Sequence, residues 1–463
     1  MTFADLKALL FERSNFGVKL GLERMRAALA LLGDPHRCAP VLHVAGTNGK
    51  GSTCAFAERA LRAAGLRTGL YTSPHLRHFC ERIRVGGAPI SEEEAAALLE
   101  RVIAGVPWAL HGGPGGSSDG DGLTFFEIAT LMAFLAFARA GVQAMVIEVG
   151  LGGRLDATNV VEPAAVAIAP LGLEHQQYLG ATLALIAAEK AGVIKPGVTV
   201  VSAGQPRAAA EVLAQAAARA GAPLWRPGRD YTFESREAEP FCYGGPRAAG
   251  GAGSLTPVAE ASCGAGWVVR PAALGLLGHH QRGNAALACA LLEAAWLRGV
   301  GIAPEQVARG LEATRWPGRL QRVGEAPLVF IDGAHNPHAA RALAASLPSL
   351  LAGRRLQLVI GLLADKDAAG VLGPLLPLCA GVHACAPGSP RALPAAALQA
   401  RVAALAPGLP CEAHGSGAAA LAAARGAAGS EGAVLGCGSL YLVGELLDAA
   451  EGRPREEMPA ERL

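Results

Sequence analysis

A strong charge of one sign is missing from this chain. Its formal net charge is +2 over 463 residues, which provides no field for gathering nucleic acid, although local basic clefts can still collect small anions. Also missing is a continuous apolar run of the roughly 18 residues needed to cross a bilayer. The nearest candidate, "IATLMAFLAFARAGVQAMVIEVG", is interrupted by Arg139, Gly141 and Gln143 and reads as a buried helix followed by a strand. The first residues, "MTFADLKALLFERSNFG", place acidic and basic side chains early and lack the apolar core of a signal peptide. These absences predict no nucleic-acid partner, no membrane partner and a cytoplasmic address. No C-x-x-C pair occurs among the ten cysteines, so reduced thiols are expected, with Cys54, Cys289 and Cys437 in apolar or small-residue segments. His383 and Cys385 have a spacing that suits two ligands of one metal ion, but without a second pair the sequence specifies no zinc site.

What is present is apolar bulk, 51% of the residues, enough for two to three folded domains and too much for a disordered chain. Short β-branched runs such as "PVLHVAG", "AMVIEVG", "AAVAIAP", "VTVVSAG", "PLVFIDG", "LQLVIGLL" and "GAVLGCG" alternate with alanine-rich helical stretches. Nearly continuous apolar strands separated by helices predict parallel sheets covered on both faces, a doubly wound α/β architecture. The glycine-rich segments His111 to Gly122 and Tyr243 to Gly266 read as surface loops. At "TRWPGRLQ" a helical region ends on a Pro-Gly pair. The expected domains are therefore residues 1–314 and 319–463, joined by a linker at about 315–318.

The segment "VLHVAGTNGKGSTCAFAERAL" is a strand, a glycine-rich loop and a helix start. That arrangement holds phosphate, because backbone N–H groups at the helix N-terminus and the helix dipole both face the anion. The loop comprises Gly46, Thr47, Asn48, Gly49, Lys50, Gly51, Ser52 and Thr53. Lys50 would bridge phosphate oxygens, and Ser52 or Thr53 could ligate Mg²⁺. Gly51 separates the lysine from the serine, a departure from the standard G-x-x-x-x-G-K-[ST] pattern. Glu148 ends the next apolar strand and faces the crevice where ligands bind in such sheets, unless it is a satisfied structural glutamate. His175 follows a further strand as a metal or phosphate ligand or a structural histidine. Ser73 ends "GLYTS" as a magnesium ligand or a simple Ser-Pro turn. Lys190, at a helix end, reads from physics alone as a solvated side chain favourably placed against the dipole. Asp332, at a strand end, and the forked guanidinium of Arg319 suit polar recognition of a nucleotide.

Taken together, "HVAGTNGKGST", "YTSPHL", "ERIRV", "EVGLGGRLDATN", "LGLEHQQYLG", "EKAGVIKPG", "LLGHHQRGNAALA", "RWPGRLQ", "DGAHNPHA" and "GSLYLVGE" resemble the folylpolyglutamate synthase and dihydrofolate synthase family of the wider Mur-ligase group. They run in the family's order from about residue 20 to residue 445. The resemblance implies an N-terminal P-loop-like domain and a smaller Rossmann-like C-terminal domain, with ATP between them. It implies that Gly49, Lys50, Gly51 and Ser52 cradle the phosphates and that Ser73, Glu148 and His175 serve Mg²⁺. It further implies that Lys190 is carbamylated by CO₂, that Asn284 meets adenine, that Arg319 meets phosphate and that Asp332 meets the ribose or nearby nucleotide. His335 would lie on the glutamate side. Lys50, His175 and Lys190 are thus the expected catalytic set. The family commonly has Asp where this chain has Glu174.

The same resemblance implies an ATP-dependent ligase that activates a carboxylate as an acyl phosphate and joins it to L-glutamate. Segments containing Gly21, Leu22 and Glu23, then Thr124, Phe125, Phe126 and Glu127, then Leu155, Asp156 and Ala157 resemble those that contact dihydropteroate in bifunctional bacterial enzymes. Phe125 and Phe126 would offer a flat surface to a pterin ring, or at least one of them would be helix core. Use of both dihydropteroate and folates is the favoured expectation. The alternatives are a folylpolyglutamate-only ligase and a non-catalytic nucleotide-binding regulator, while a cell-wall Mur ligase would need an N-terminal domain for which there is little room. A monomer is expected.

Overall fold

The computed structural model describes residues 2–14, 21–113, 122–246 and 266–454. Eight strands form the first sheet: β1 (Val41–Ala45), β2 (Thr68–Tyr71), β3 (Ile83–Val85), β4 (Ala88–Pro89), β5 (Ala144–Glu148), β6 (Ala165–Ile168), β7 (Val200–Ser202) and β8 (Leu224–Trp225). Their spatial order is β4-β3-β2-β5-β1-β6-β7-β8. The six from β2 to β8 in that order are parallel, and β3 and β4 add an antiparallel edge.

Both faces of this sheet are covered, which is why its central strands are apolar without alternation. In β1 and β5, Leu42, Val44, Ala144 and Val146 face the helices Lys50–Ala63 and His279–Trp296. Val41, Met145 and Ile147 pack with the opposite core, which contains the helix Phe125–Ala140. The chain leaves β1 for β2 on one side and later returns to β6 on the other, so the order reverses at β1. Ligand crevices in open α/β sheets form at the carboxyl ends of strands around such a reversal.

A small sheet of β9 (Thr232–Phe233), β10 (Tyr243–Gly244) and β11 (Val268–Val269) lies between the two large ones in the chain. It corrects the reading of Tyr243 to Gly266 as surface loop. Tyr243 is wholly buried, pairs with Phe233 and Val269, and donates its hydroxyl to Glu293 at 2.8 Å. The strands were missed because two-residue strands carry no periodicity. Residues 247–265 and 114–121, the remainder of the two glycine-rich segments, lie outside the described residues.

The second large sheet contains β12 (Gln321–Glu325), β13 (Leu328–Ile331), β14 (Leu356–Ile360), β15 (Cys379–Cys385), β16 (Cys411–His414) and β17 (Ala433–Cys437). Its order is β12-β13-β17-β14-β15-β16, parallel apart from β12. Its core is separate from that of the first sheet, with Phe330, Leu358, Ile360 and Leu435 on one face and Val329, Val359 and Val434 on the other. The protein is thus a two-domain α/β fold. The described cysteines are all free. No helix among the described residues is long and apolar enough to cross a membrane.

Candidate active site

Strand β1 is followed by a loop bent by two glycines, Gly46 at φ 149° and Gly49 at φ 85°. A side chain at Gly49 would place its Cβ 2.3 Å from Asn284 Oδ1, so only glycine lets the loop lie against the helix His279–Trp296. The loop is anchored to the end of β6, where the N–H groups of Thr47 and Asn48 both donate to Pro170 O at 3.1 Å. The helix Lys50–Ala63 then begins with no side-chain cap, so the N–H groups of its first turn are left for an anion. Lys50 Nζ reaches back to Thr47 O at 3.3 Å, beside those N–H groups. Thr53 lies deeper: it is wholly buried and its N–H continues the helix by donating to Gly49 O.

The carboxyl ends of the neighbouring strands bring acids and a histidine to the same cleft. Glu148, at the end of β5, is buried, and its Oε2 accepts from the Ser73 N–H at 3.1 Å. Burial raises its pKa, while the Lys50 ammonium and the Ser73 N–H hold it back. A buried carboxylate disfavoured as an anion gains from a cation placed against it. His175, in the left-handed conformation at φ 52°, has its pKa lowered to about 4 by burial, with Glu174 opposing. It is therefore neutral and able to donate a lone pair at ordinary pH. A buried acid, a serine hydroxyl and a neutral imidazole are a donor set that fits Mg²⁺ or a similar hard divalent ion with water completing its shell.

Lys190 is not the solvated lysine that its helix-end position suggests. It is buried, and its Nζ donates to Gly46 O at 2.7 Å, the first residue of the phosphate loop. Burial and the nearby Lys50 charge lower its pKa to about 7.

A cleft of about 430 Å³ collects these groups with residues of the second domain. Thr47, Asn48, Gly49, Lys50, Gly51, Ser52, Ser73, Glu148, His175, Asn284, Arg319, Asp332 and His335 all line it. Gly46, Thr53 and Lys190 stand just behind its wall. Asn284 is held by its Nδ2 bond to Gln281 Oε1 at 2.9 Å and sits against the phosphate loop. Asp332 has both oxygens engaged by backbone, Oδ2 by the Leu320 N–H and Oδ1 by the Ala334 N–H, each at 2.8 Å. It thereby fixes the turn that carries Arg319, whose guanidinium passes over Gly333, where a Cβ would lie 2.2 Å from it.

The other end of the cleft is aromatic. Thr124 and Glu127 form a reciprocal capping box at the start of the helix Phe125–Ala140, and Arg24 binds Glu127 at 3.0 Å. Their hydrogen-bonding capacity is largely spent on starting that helix, which aims Phe125 and Phe126 at the cleft. Phe125 meets Phe79 edge-on at 6.1 Å, and the Arg82 guanidinium lies 5.1 Å over its ring. Both phenylalanines are half-buried, packed on the core with a face left to the cleft. Asp156, with Leu155 and Ala157, lines the same end, but its carboxylate already accepts from the N–H groups of Leu151 and Thr158 and from the Thr158 hydroxyl. Gly21 lines the cleft, whereas Leu22 and Glu23 lie behind it as the start of the helix Glu23–Leu31.

Several lining residues were not singled out from sequence. Arg82 is buried and donates to His75 Nδ1 at 2.7 Å; it lies in "ERIRV", one of the quoted motifs, so its signal was present. Lys366 and Arg391 come from loops after β14 and β15, and the strand-end rule applied to the second sheet would have found both. Across the domains, Glu174 Oε1 accepts from His335 Nε2 at 3.0 Å and from Lys366 Nζ at 3.4 Å. Burial alone would raise its pKa, but the His335 hydrogen bond and the charges of His335 and Lys366 outweigh it and hold the carboxyl well below its usual range.

Residues 318–440 match the family described as Mur ligase, glutamate ligase domain. The dihydrofolate synthase/folylpolyglutamate synthase of Bacillus subtilis is 38% identical over 84% of this chain and 86% of its own length. That of Mycobacterium tuberculosis is 39% identical over 81% of this chain and 76% of its own. Among solved structures, the M. tuberculosis folylpolyglutamate synthase complexed with ADP superimposes with a TM-score of 0.85 at 32% identity, covering 98% of this chain and 99% of its own. The E. coli FolC in complex with DHPP and ADP gives a TM-score of 0.82 at 31% identity, covering 98% of both chains. A bifunctional folylpolyglutamate synthase/dihydrofolate synthase with Mn, AMPPNP and L-glutamate bound gives 0.79 at 31% identity, covering 97% of this chain and 98% of its own.

Proposed function

The chain belongs to the dihydrofolate synthase/folylpolyglutamate synthase family, and from that premise we propose how its own residues carry out the reaction. It is an ATP-dependent ligase that joins L-glutamate to dihydropteroate and to the glutamate tail of folates. One arrangement supports the assignment of roles: a phosphate loop, a buried acid with a neutral imidazole, and an aromatic-walled end meet in one cleft that both domains line.

The first-turn N–H groups of the helix Lys50–Ala63, with Lys50, hold the triphosphate, and Arg319 approaches it from the second domain. Asn284 packs against the loop and orients the nucleoside end. Ser73, Glu148 and His175 would hold Mg²⁺, and Lys190, carbamylated by CO₂, would add a carboxylate-like group behind them. Bound there, the ion supplies charge neutralisation for phosphoryl transfer. A pKa near 7 leaves much of Lys190 as the free amine that carbamylation requires.

The substrate carboxylate attacks the γ-phosphorus, ADP leaves, and an acyl phosphate forms. The amino group of L-glutamate then attacks the acyl carbon, loses a proton and expels inorganic phosphate, leaving an amide. Lys50 and Arg319 neutralise the charges that develop, and the neutral His175 acts by positioning. Phe125 and Phe126 give the pterin ring a surface at the far end, and His335 lies on the glutamate side. The two domains, residues 1–314 and 319–463, close over the acyl phosphate and shield it from water. A monomer in the cytoplasm completes the proposal.

The test is an assay of purified protein with ATP, Mg²⁺ and glutamate, offered dihydropteroate or tetrahydrofolate separately, with products identified by mass. Both are expected to gain one glutamate per cycle. Product from the folate alone would reduce the assignment to folylpolyglutamate synthesis, and absence of both would overturn it.

A further inference from the structure

Strands β15 and β16 run parallel, with His383 opposite Glu412 and Cys385 opposite His414. Residues two apart on a strand share a face, so this register places two imidazoles and a carboxylate together at the edge of the second sheet. Their ligand atoms all lie within 4.8 Å of one another, the one such trio of His, Cys, Asp or Glu among the described residues. His383 Nδ1 is 3.1 Å from His414 Nε2, and His414 Nε2 is 3.8 Å from Glu412 Oε2. Ligand atoms at about 2.0–2.2 Å from a tetrahedral zinc ion stand roughly 3.3–3.5 Å apart, between those two spacings.

The buried member is also oriented. Gln357 Oε1 lies 3.3 Å from His383 Nε2. A carbonyl oxygen only accepts, so Nε2 carries the proton and Nδ1 turns a bare lone pair toward the trio. Gly381 makes room for that amide, since a Cβ there would stand 2.4 Å from Gln357 Oε1. Cys385, the partner its sequence spacing suggests, is not a member: its thiol points to Ile360 O at 3.6 Å. Glu412 is mostly exposed, with a side chain 72% accessible, and leaves the site open to an incoming ion.

We propose that His383, Glu412 and His414 form a second metal site, taking a zinc-like divalent transition ion and clamping the four-residue edge strand β16 onto β15. Two imidazoles and one carboxylate suit zinc, cobalt or nickel and not magnesium. None of the three lines the ATP cleft, so the site is separate from the hard-ion site there and does not rest on the ligase assignment.

The full chain, stripped with a chelator and kept in excess Mg²⁺, is titrated with Zn²⁺ by calorimetry, and Co²⁺ is added in parallel for its visible absorption. One saturable Zn²⁺ per chain is expected, with a Co²⁺ spectrum of low coordination number and a raised Tm. His414→Ala should weaken Zn²⁺ binding by at least about tenfold and abolish the Tm rise, while leaving Mg²⁺-dependent turnover unchanged. Glu412→Gln, on an exposed side chain, gives the same comparison without risk to the fold. No saturable binding by the wild type, or unchanged affinity in Glu412→Gln and His414→Ala together, would overturn the proposal and leave an ordinary imidazole–imidazole hydrogen bond.

Discussion

The ammonium of Lys190 donates to the carbonyl of Gly46 at 2.7 Å, 144 residues away in the chain. The residue proposed to become a carbamate therefore touches the first residue of the phosphate loop. Lys190→Ala is expected to lower kcat by about 10²–10³-fold, the scale of losing one preorganised electrostatic group. Added acetate or formate should restore part of it by replacing the missing carboxylate. Steady-state kinetics with and without these acids check this, and wild-type turnover in the variant would remove the carbamate role.

The pH dependence of the same residue follows from its pKa of about 7. Only the neutral amine adds CO₂. At fixed dissolved CO₂, the initial reactivation rate of enzyme freed of bicarbonate should rise nearly tenfold per pH unit below 7 and level off above it. Because the folded pKa is depressed from 10.5, the folded state binds fewer protons than the unfolded one between those values. This group's contribution to stability therefore increases with pH from about 7 to 10.5 and, as pH falls, is fully lost by about pH 7. Denaturation midpoints of wild type and Lys190→Met across that range measure the difference.

Gly49→Ala should weaken nucleotide binding. Its φ of 85° costs an alanine about 1 kcal/mol or more, and the new Cβ would meet Asn284 Oδ1 at 2.3 Å. At least a tenfold rise in the Kd for ADP is expected by calorimetry, with little change in circular dichroism. An unchanged Kd would show that the loop relaxes freely.

Glu174→Ala removes the carboxylate shared by His335 and Lys366 across the cleft. Two cationic or polar groups then face each other without their acceptor. A rise of fivefold or more in KM for glutamate is expected, with the Kd for ADP nearly unchanged. Solution scattering should report a more open average shape.

Phe125→Ala takes away the ring that meets Phe79 and lies under Arg82. KM for dihydropteroate should rise about tenfold or more, the worth of an aromatic contact plus its buried area. ATP parameters should hold, since the ring lies at the other end of the cleft.

The strand ends were the most legible part of the site. Gly46 to Thr53, Glu148 and His175 each lie at or after the end of an apolar run, so strand identity and a place at the carboxyl edge of the sheet came from one pattern. Lys190 was opaque to physical reasoning alone, because helix-end position predicts solvent and only the packed fold buries its amine. Thr124, Glu127 and Asp156 were legible as polar residues near the aromatic end of the cleft, yet they are engaged by backbone groups that start the next turn or helix. Tyr243 escaped because its strand is two residues long. Lys366 and Glu174 are 192 residues apart, and no local pattern encodes a meeting between separate domains.

Asn48 and Asn336 exchange amide hydrogen bonds, Asn48 Nδ2 to Asn336 Oδ1 at 3.2 Å and Asn336 Nδ2 to Asn48 Oδ1 at 2.9 Å. Asn336 Oδ1 also accepts the Ala339 N–H at 2.9 Å and so starts the helix Pro337–Leu351. One oxygen thus serves as the helix's N-terminal cap and as a latch on the opposite half of the molecule. Whatever tightens or loosens the loop around its cargo must pull on that helix, so the two halves cannot part without unlacing the same atom.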